Sequence, residues 1–184
     1  MAVYFILEEN GADWRMKIGR SRNPQVRSRA LQTGNSRPLK LVGWINDGSD
    51  AVTEARLHAK YASANVRRGG EVAAREWFYL QPADILGDLA AAGRFGFVAK
   101  NADAFEIVGY DRDAVPEYVG VWDWAELEID ECCPFCGCFC GMHFQDASGM
   151  YHCLNCDALT DFEGGGNLPS CMKRRRRDSG DASS

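Results

Sequence analysis

All eight cysteines of the 184-residue chain lie at or beyond Cys132, and residues 1–131 contain none. A disulfide scaffold spreads its cysteines through the whole fold, whereas a metal module gathers them in close pairs. Cys133-Pro134-Phe135-Cys136 and Cys153-Leu154-Asn155-Cys156 are two C-x-x-C pairs with 16 residues between them. Two such turns can bring four thiolates tetrahedrally onto one Zn²⁺. Gly137 allows the backbone to turn under the metal, so that amides point at the sulfurs. The expectation is a closed, structural Zn²⁺ site of Cys133, Cys136, Cys153 and Cys156 in a zinc ribbon over 132–163. Cys132, Cys138 and Cys140 are surplus. They are available to replace Cys133 or Cys136, or to form a second site with His143 or His152; one zinc is the simpler arrangement. Cys171 stands alone as a free thiol.

The rest of the chain must fold through its own core. Hydrophobic residues make up 46% of the sequence, near the globular average, which excludes collagen-like, coiled-coil and wholly disordered chains. No run of about 18 apolar residues occurs, so no transmembrane helix is expected, and the opening AVYFIL is too short for a signal segment. The expected location is the cytoplasm. Charge is uneven. Residues 1–92 carry 13 Lys+Arg against 10 Asp+Glu, while 93–184 carry 8 against 16. The first half is therefore mildly basic although the whole chain is acidic, and local charge decides phosphate binding.

Val3–Leu7 is a continuous apolar run, as in a strand buried on both faces. After the Asn10-Gly11 turn, Trp14–Gly19 reads as the returning strand of a hairpin. Asn23-Pro24 opens a helix that Gly34 closes. Leu39–Ile45 predicts a third strand, 51–62 a second helix, 76–80 a short strand, and 82–92 a helix stopped by Gly93. The fold class is α+β, a small antiparallel sheet flanked by helices, followed by the ribbon. The domains expected are an α+β unit over 1–93, an acidic connector over 94–131, the ribbon, and a disordered basic tail over 164–184.

Ala2-Val3-Tyr4, Lys17-Ile18-Gly19 and Arg27, eight residues after that glycine, form an ordered series. Leu31-Gln32-Thr33-Gly34-Asn35, Glu54-x-x-Leu57-His58 and Glu76-Trp77-Phe78 continue it. The series resembles the GIY-YIG nuclease superfamily, in the branch common in phages that includes proteins described as meiotically up-regulated. The resemblance covers residues 2–92. It implies a DNA endonuclease with Tyr4, Lys17, Arg27 and His58 as catalytic residues and Glu54 as ligand of a catalytic Mg²⁺ or Mn²⁺. The chemistry is consistent with this. Arg27 offers a permanent charge for phosphate oxygens, and Mg²⁺ needs only one carboxylate beside water and substrate. Lys17 stands where the family has its second tyrosine, so it would act as a base or hold phosphate. Glu76 would be a second acidic ligand or a packing residue, and His58 a buried support or an active-site group.

CPFCG followed by YHCLNCDA resembles the small zinc ribbons of phage restriction-alleviation proteins. DNA is the expected partner, contacted by Arg20, Arg22 and the tail residues Lys173, Arg174, Arg175, Arg176 and Arg177. A protein partner could engage the acidic segment 101–131 or the ribbon. Two rival functions remain: a catalytically inactive DNA-binding protein of the same fold, and an adaptor acting on host restriction. No membrane role is expected.

Overall fold

The computed structural model describes residues 1–10, 13–68, 71–99, 105–110, 116–120, 132–133 and 135–160. Residues 1–98 form β1 (Ala2–Asn10), β2 (Asp13–Ser21), α1 (Pro24–Thr33), β3 (Leu39–Ile45), α2 (Asp50–Lys60), β4 (Asn65–Arg68), β5 (Glu71–Phe78), α3 (Pro82–Ala91) and β6 (Gly96–Val98). The strands make one six-stranded sheet in the order β4-β5-β2-β1-β3-β6, antiparallel at every pairing. The class is α+β, as the sequence predicts.

The apolar run of β1 lies at the centre, hydrogen-bonded to β2 on one edge and β3 on the other. Val3 to Leu7 are all 2% exposed or less, because helices cover what neighbouring strands do not. Burying a side chain of this size stabilises by about 1.5–3 kcal/mol, so this strand anchors the domain. Helix α1 begins where expected. The Asn23 side chain accepts the Val26 amide at 3.0 Å, and Pro24 occupies the first turn. Helices α2 and α3 lie against the face of Val3 and Phe5. Leu89 of α3 packs where a Gly43 side chain would stand, and Glu54 of α2 holds Arg20; Gly43 and Arg20 pair with Phe5 and Val3.

Two strands are not legible in the sequence. Strand β4 is short and basic, and β6 begins at a glycine, so neither shows a period-2 apolar pattern. Strand β6 also carries the sheet past Gly93 into the expected connector.

One buried charge joins α2 to α3. Asp88, 4% exposed, accepts from the Tyr61 hydroxyl at 2.5 Å and from Lys60 Nζ at 2.6 Å, with Arg56 Nη1 at 3.6 Å. Burial, then the Asp88 hydrogen bond, pushes the Tyr61 hydroxyl well above the usual tyrosine range. Asp88→Ala leaves two cations without their acceptor and the Tyr61 hydroxyl with the Asp84 carbonyl alone. Because Lys60 and Arg56 are about half exposed, the expected loss is about 2–3 kcal/mol, below that of a fully buried pair. Urea unfolding should show it as a lower midpoint with an unchanged slope.

Backbone of Phe105–Tyr110 (β7) and Pro116–Gly120 (β8) pairs as an antiparallel hairpin within the acidic segment; the rest of 101–131 and the tail bearing Lys173–Arg177 lie outside the described residues. The cysteine module carries β9 (His143–Gln145), β10 (Met150–His152) and β11 (Leu159–Thr160) in the order β11-β10-β9. It docks on the sheet edge. The Val98 amide donates to the Gly137 carbonyl at 2.8 Å, and the Phe139 amide to the Gly96 carbonyl at 3.1 Å, so the first cysteine turn continues the sheet beyond β6. Gly137 serves both parts: its φ is +73°, and a Cβ there would stand 2.1 Å from the Val98 oxygen. Cys132 and Phe139 belong to the main hydrophobic core. Among the described residues, no helix is long and apolar enough to cross a membrane.

Candidate functional site

Strands β2 and β5 pair over only two rungs, Met16–Phe78 and Lys17–Trp77. Beyond Lys17 that ladder stops, which leaves a notch along Ile18–Arg20. Every residue of this stretch is engaged by a residue that the sequence singles out, or by its neighbour.

Lys17, 7% exposed, bonds Glu76 of β5 through its ammonium and lies 5.5 Å from the Trp77 ring centroid. The Ile18 carbonyl, at the notch, is met by His58 Nε2 at 3.1 Å; the His58 ring packs on Phe78 with centroids 5.2 Å apart. Gly19 is crossed by Tyr4: a Cβ on Gly19 would stand 2.6 Å from the tyrosine hydroxyl, so only glycine fits. Arg20 donates from Nε to Glu54 at 2.6 Å and from Nη1 to Asp50 at 3.1 Å. Arg27 is exposed in the first turns of α1, where its charge reaches Glu76. Arg22 is exposed just past β2.

The electrostatics follow from these pairings. The Lys17 hydrogen bond holds the Glu76 carboxyl below the usual range against the cost of burial, with His58 and Arg27 adding to it. The hydrogen bond from Arg20 does the same for Asp50. Glu76 is thus an ion-pair acceptor, half exposed, rather than a packed residue. A carboxyl with a depressed pKa adds stability above its unfolded value, about 4.3, and loses it as pH falls through the lower folded value. Glu76→Gln should therefore cost up to about 1 kcal/mol at pH 7, little because the pair is open to solvent. The difference from wild type should shrink as pH falls below about 4.3 and vanish below the lower folded value, which denaturation followed from pH 7 downward measures.

Asp50 is a participant that the sequence alone does not single out. The available signal was its spacing, one helical turn before Glu54, which sets two carboxylates side by side. In the structure the cation between them is Arg20.

In the cysteine module, the sulfurs of Cys133, Cys136, Cys153 and Cys156 lie within 4.8 Å of one another and could hold a metal ion. Cys136 and Cys153 sulfurs are 3.8 Å apart, and those of Cys133 and Cys156 are 4.0 Å apart. A tetrahedron with bonds of about 2.3 Å has edges of ~3.8 Å, so the set suits Zn²⁺. Amides support the sulfurs: Phe135 N–H points at Cys133 Sγ at 3.4 Å, and Asn155 Nδ2 at Cys136 Sγ at 3.5 Å. Burial pushes the Cys153 thiol up, but backbone amides of Cys156 and Asn155 together with the Cys140 and Cys133 thiols bring it down to about 7. The surplus cysteines divide. Cys132 is in the main core, and Cys138 donates to the Arg94 carbonyl at 3.5 Å. Cys140 Sγ stays 3.5 Å from Cys153 Sγ. His143 meets the Cys140 carbonyl, and His152 is held by Gln145 and Asp157.

The T5orf172 domain family model matches residues 1–90, a stretch that holds every residue at the notch and stops before the cysteine module. No curated protein and no solved structure matches the chain.

Proposed function

We propose that the chain is a metal-dependent DNA endonuclease of GIY-YIG type with a structural zinc ribbon. The observation that carries this reading is the convergence on β2. Tyr4, Glu54 and His58, distant in sequence, all meet its four residues Lys17–Arg20, Tyr4 over Gly19 on one face of the sheet and Glu54 on Arg20 of the other, while Arg27 stands exposed on α1. In this reading Arg27 binds the scissile phosphate and stabilises the charge that develops on it. Tyr4, its hydroxyl over Gly19, orients the attacking water. Lys17 holds phosphate or takes a proton, with Glu76 as its counter-charge. Glu54, with Asp50 beside it, would hold Mg²⁺ or Mn²⁺, which when bound supplies charge for the leaving oxygen. Arg20, displaced from those carboxylates, would be free to contact the DNA backbone. His58 packs under the notch and fixes the otherwise unpaired Ile18 carbonyl. Zn²⁺ on Cys133, Cys136, Cys153 and Cys156 leaves no open coordination position, so its role is to hold the module on the sheet.

One observation favours a second reading, a DNA-binding protein without turnover. Lys17 is occupied by Glu76 and Glu54 by Arg20, so both groups are already neutralised. Nicking of supercoiled plasmid in Mg²⁺ or Mn²⁺ separates the two, since only the first predicts relaxed product.

A further inference from the structure

A cleft of about 720 Å³ lies between the cysteine module and the end of the sheet at β6, away from the β2–β5 notch. Its walls are Phe95, Phe97 and Leu154, with Arg94, Asn46 and Asn155 supplying polar groups. Among the described residues, Arg94 is the one charged residue in the lining and no carboxylate lines it. Two large apolar side chains here remain open to solvent, Phe95 at 39% and Leu154 at 64%. The wall is firmly built. The Asn46 amide donates to the Phe95 carbonyl at 2.8 Å, and the Arg94 guanidinium sits 4.8 Å from the Phe95 ring centroid.

The cleft also continues a feature of the sheet. One rung runs Gly19–Tyr4–Trp44–Phe97 across β2, β1, β3 and β6, and directly paired residues share a face. Trp44 and Phe97 stack with centroids 5.4 Å apart and planes 10° apart. An aromatic row therefore leads from Tyr4 beside the notch to Phe97 in the cleft, spanning two strand spacings or ~10 Å.

We propose that this cleft receives an unpaired base of a single DNA strand whose backbone passes the notch. Exposed aromatic faces with an adjacent arginine are what sequence-tolerant base stacking uses, and asparagine amides can meet base edges. The sign of the charge suits a phosphate backbone. The proposal rests on the nucleic-acid reading of the notch, but not on catalysis.

The test compares binding of an oligothymidylate and of an abasic strand of equal length, by fluorescence anisotropy in the absence of divalent metal. Wild type should bind the oligothymidylate more tightly than the abasic strand. Phe95→Ala should lose about tenfold in affinity for the former and little for the latter. Arg94→Gln should weaken both and flatten the salt dependence. Both residues are exposed, so a folded variant is expected, and Leu154→Ser on the facing wall repeats the test if Phe95→Ala proves unstable. Equal binding of the two strands by wild type, or no effect of Phe95→Ala and Leu154→Ser, overturns the proposal and leaves an apolar peptide side chain as the better occupant. Base-dependent binding without plasmid nicking upholds the cleft and defeats only the nuclease reading.

Discussion

Cys153→Ser is expected to release the zinc and unfold the cysteine module, with a loss that reaches the main sheet. A segment of about thirty residues cannot supply its own core, and thiolate–zinc binding in such modules carries about 10–16 kcal/mol that appears as folding free energy. The effect should spread because the first cysteine turn is hydrogen-bonded to β6, and because Cys132 and Phe139 fill the main core. Elemental analysis of wild type should give one zinc per chain, and Cys153→Ser should give almost none. Cys140→Ser is the control: its sulfur is beside Cys153 but outside the tetrahedral set, so one zinc should remain. Two zincs in wild type, or full retention in Cys153→Ser, would show that Cys140 or its neighbours serve as ligands.

Arg27→Ala and Glu54→Gln are expected to stop DNA cutting with little effect on folding. Arg27 is exposed, so its removal leaves no hole in the core. Losing one preorganised charge at a developing phosphate anion costs about 3 kcal/mol, or 10²–10³ in rate. Glu54→Gln keeps the shape of the side chain and removes the charge that a divalent cation requires. It also frees Arg20 from one of its two carboxylates, so DNA affinity should stay equal or rise while cutting fails. That divergence between binding and turnover separates a metal ligand from a mere structural acid. Lys17→Ala adds a further discrimination. A large rate loss at neutral pH marks Lys17 as base or phosphate anchor, and a mild one leaves Tyr4 as the group that orients water.

Much of this arrangement was legible because local signals and long-range packing agreed. The apolar run Val3–Leu7, the Asn23-Pro24 helix start and the spacing of the two C-x-x-C pairs each dictate one outcome on steric or chemical grounds. What stayed hidden depends on partners distant in sequence. Nothing local marks Asn65–Arg68 or Gly96–Val98 as strands, since each is recruited by an edge that another segment provides. The same holds for side chains. The sequence offers Glu54, Arg20 and Lys17 as separate functional candidates, whereas the fold pairs Glu54 with Arg20 and Lys17 with Glu76. Asp50 and Glu76 acquire their roles only through those pairings. The cysteine module reads as a separate unit because its ligand spacing is self-contained, yet Gly137 is shaped as much by the Val98 carbonyl as by the metal turn.

The most direct measurement is the conversion of supercoiled plasmid to nicked circles by wild-type protein, with Mg²⁺ or Mn²⁺ and with the divalent cation chelated. The nuclease reading predicts nicking that requires the cation, falls at least a hundredfold in Arg27→Ala, and disappears in Glu54→Gln while DNA binding persists. Binding without nicking in either cation, equal among wild type, Arg27→Ala and Glu54→Gln, would contradict it.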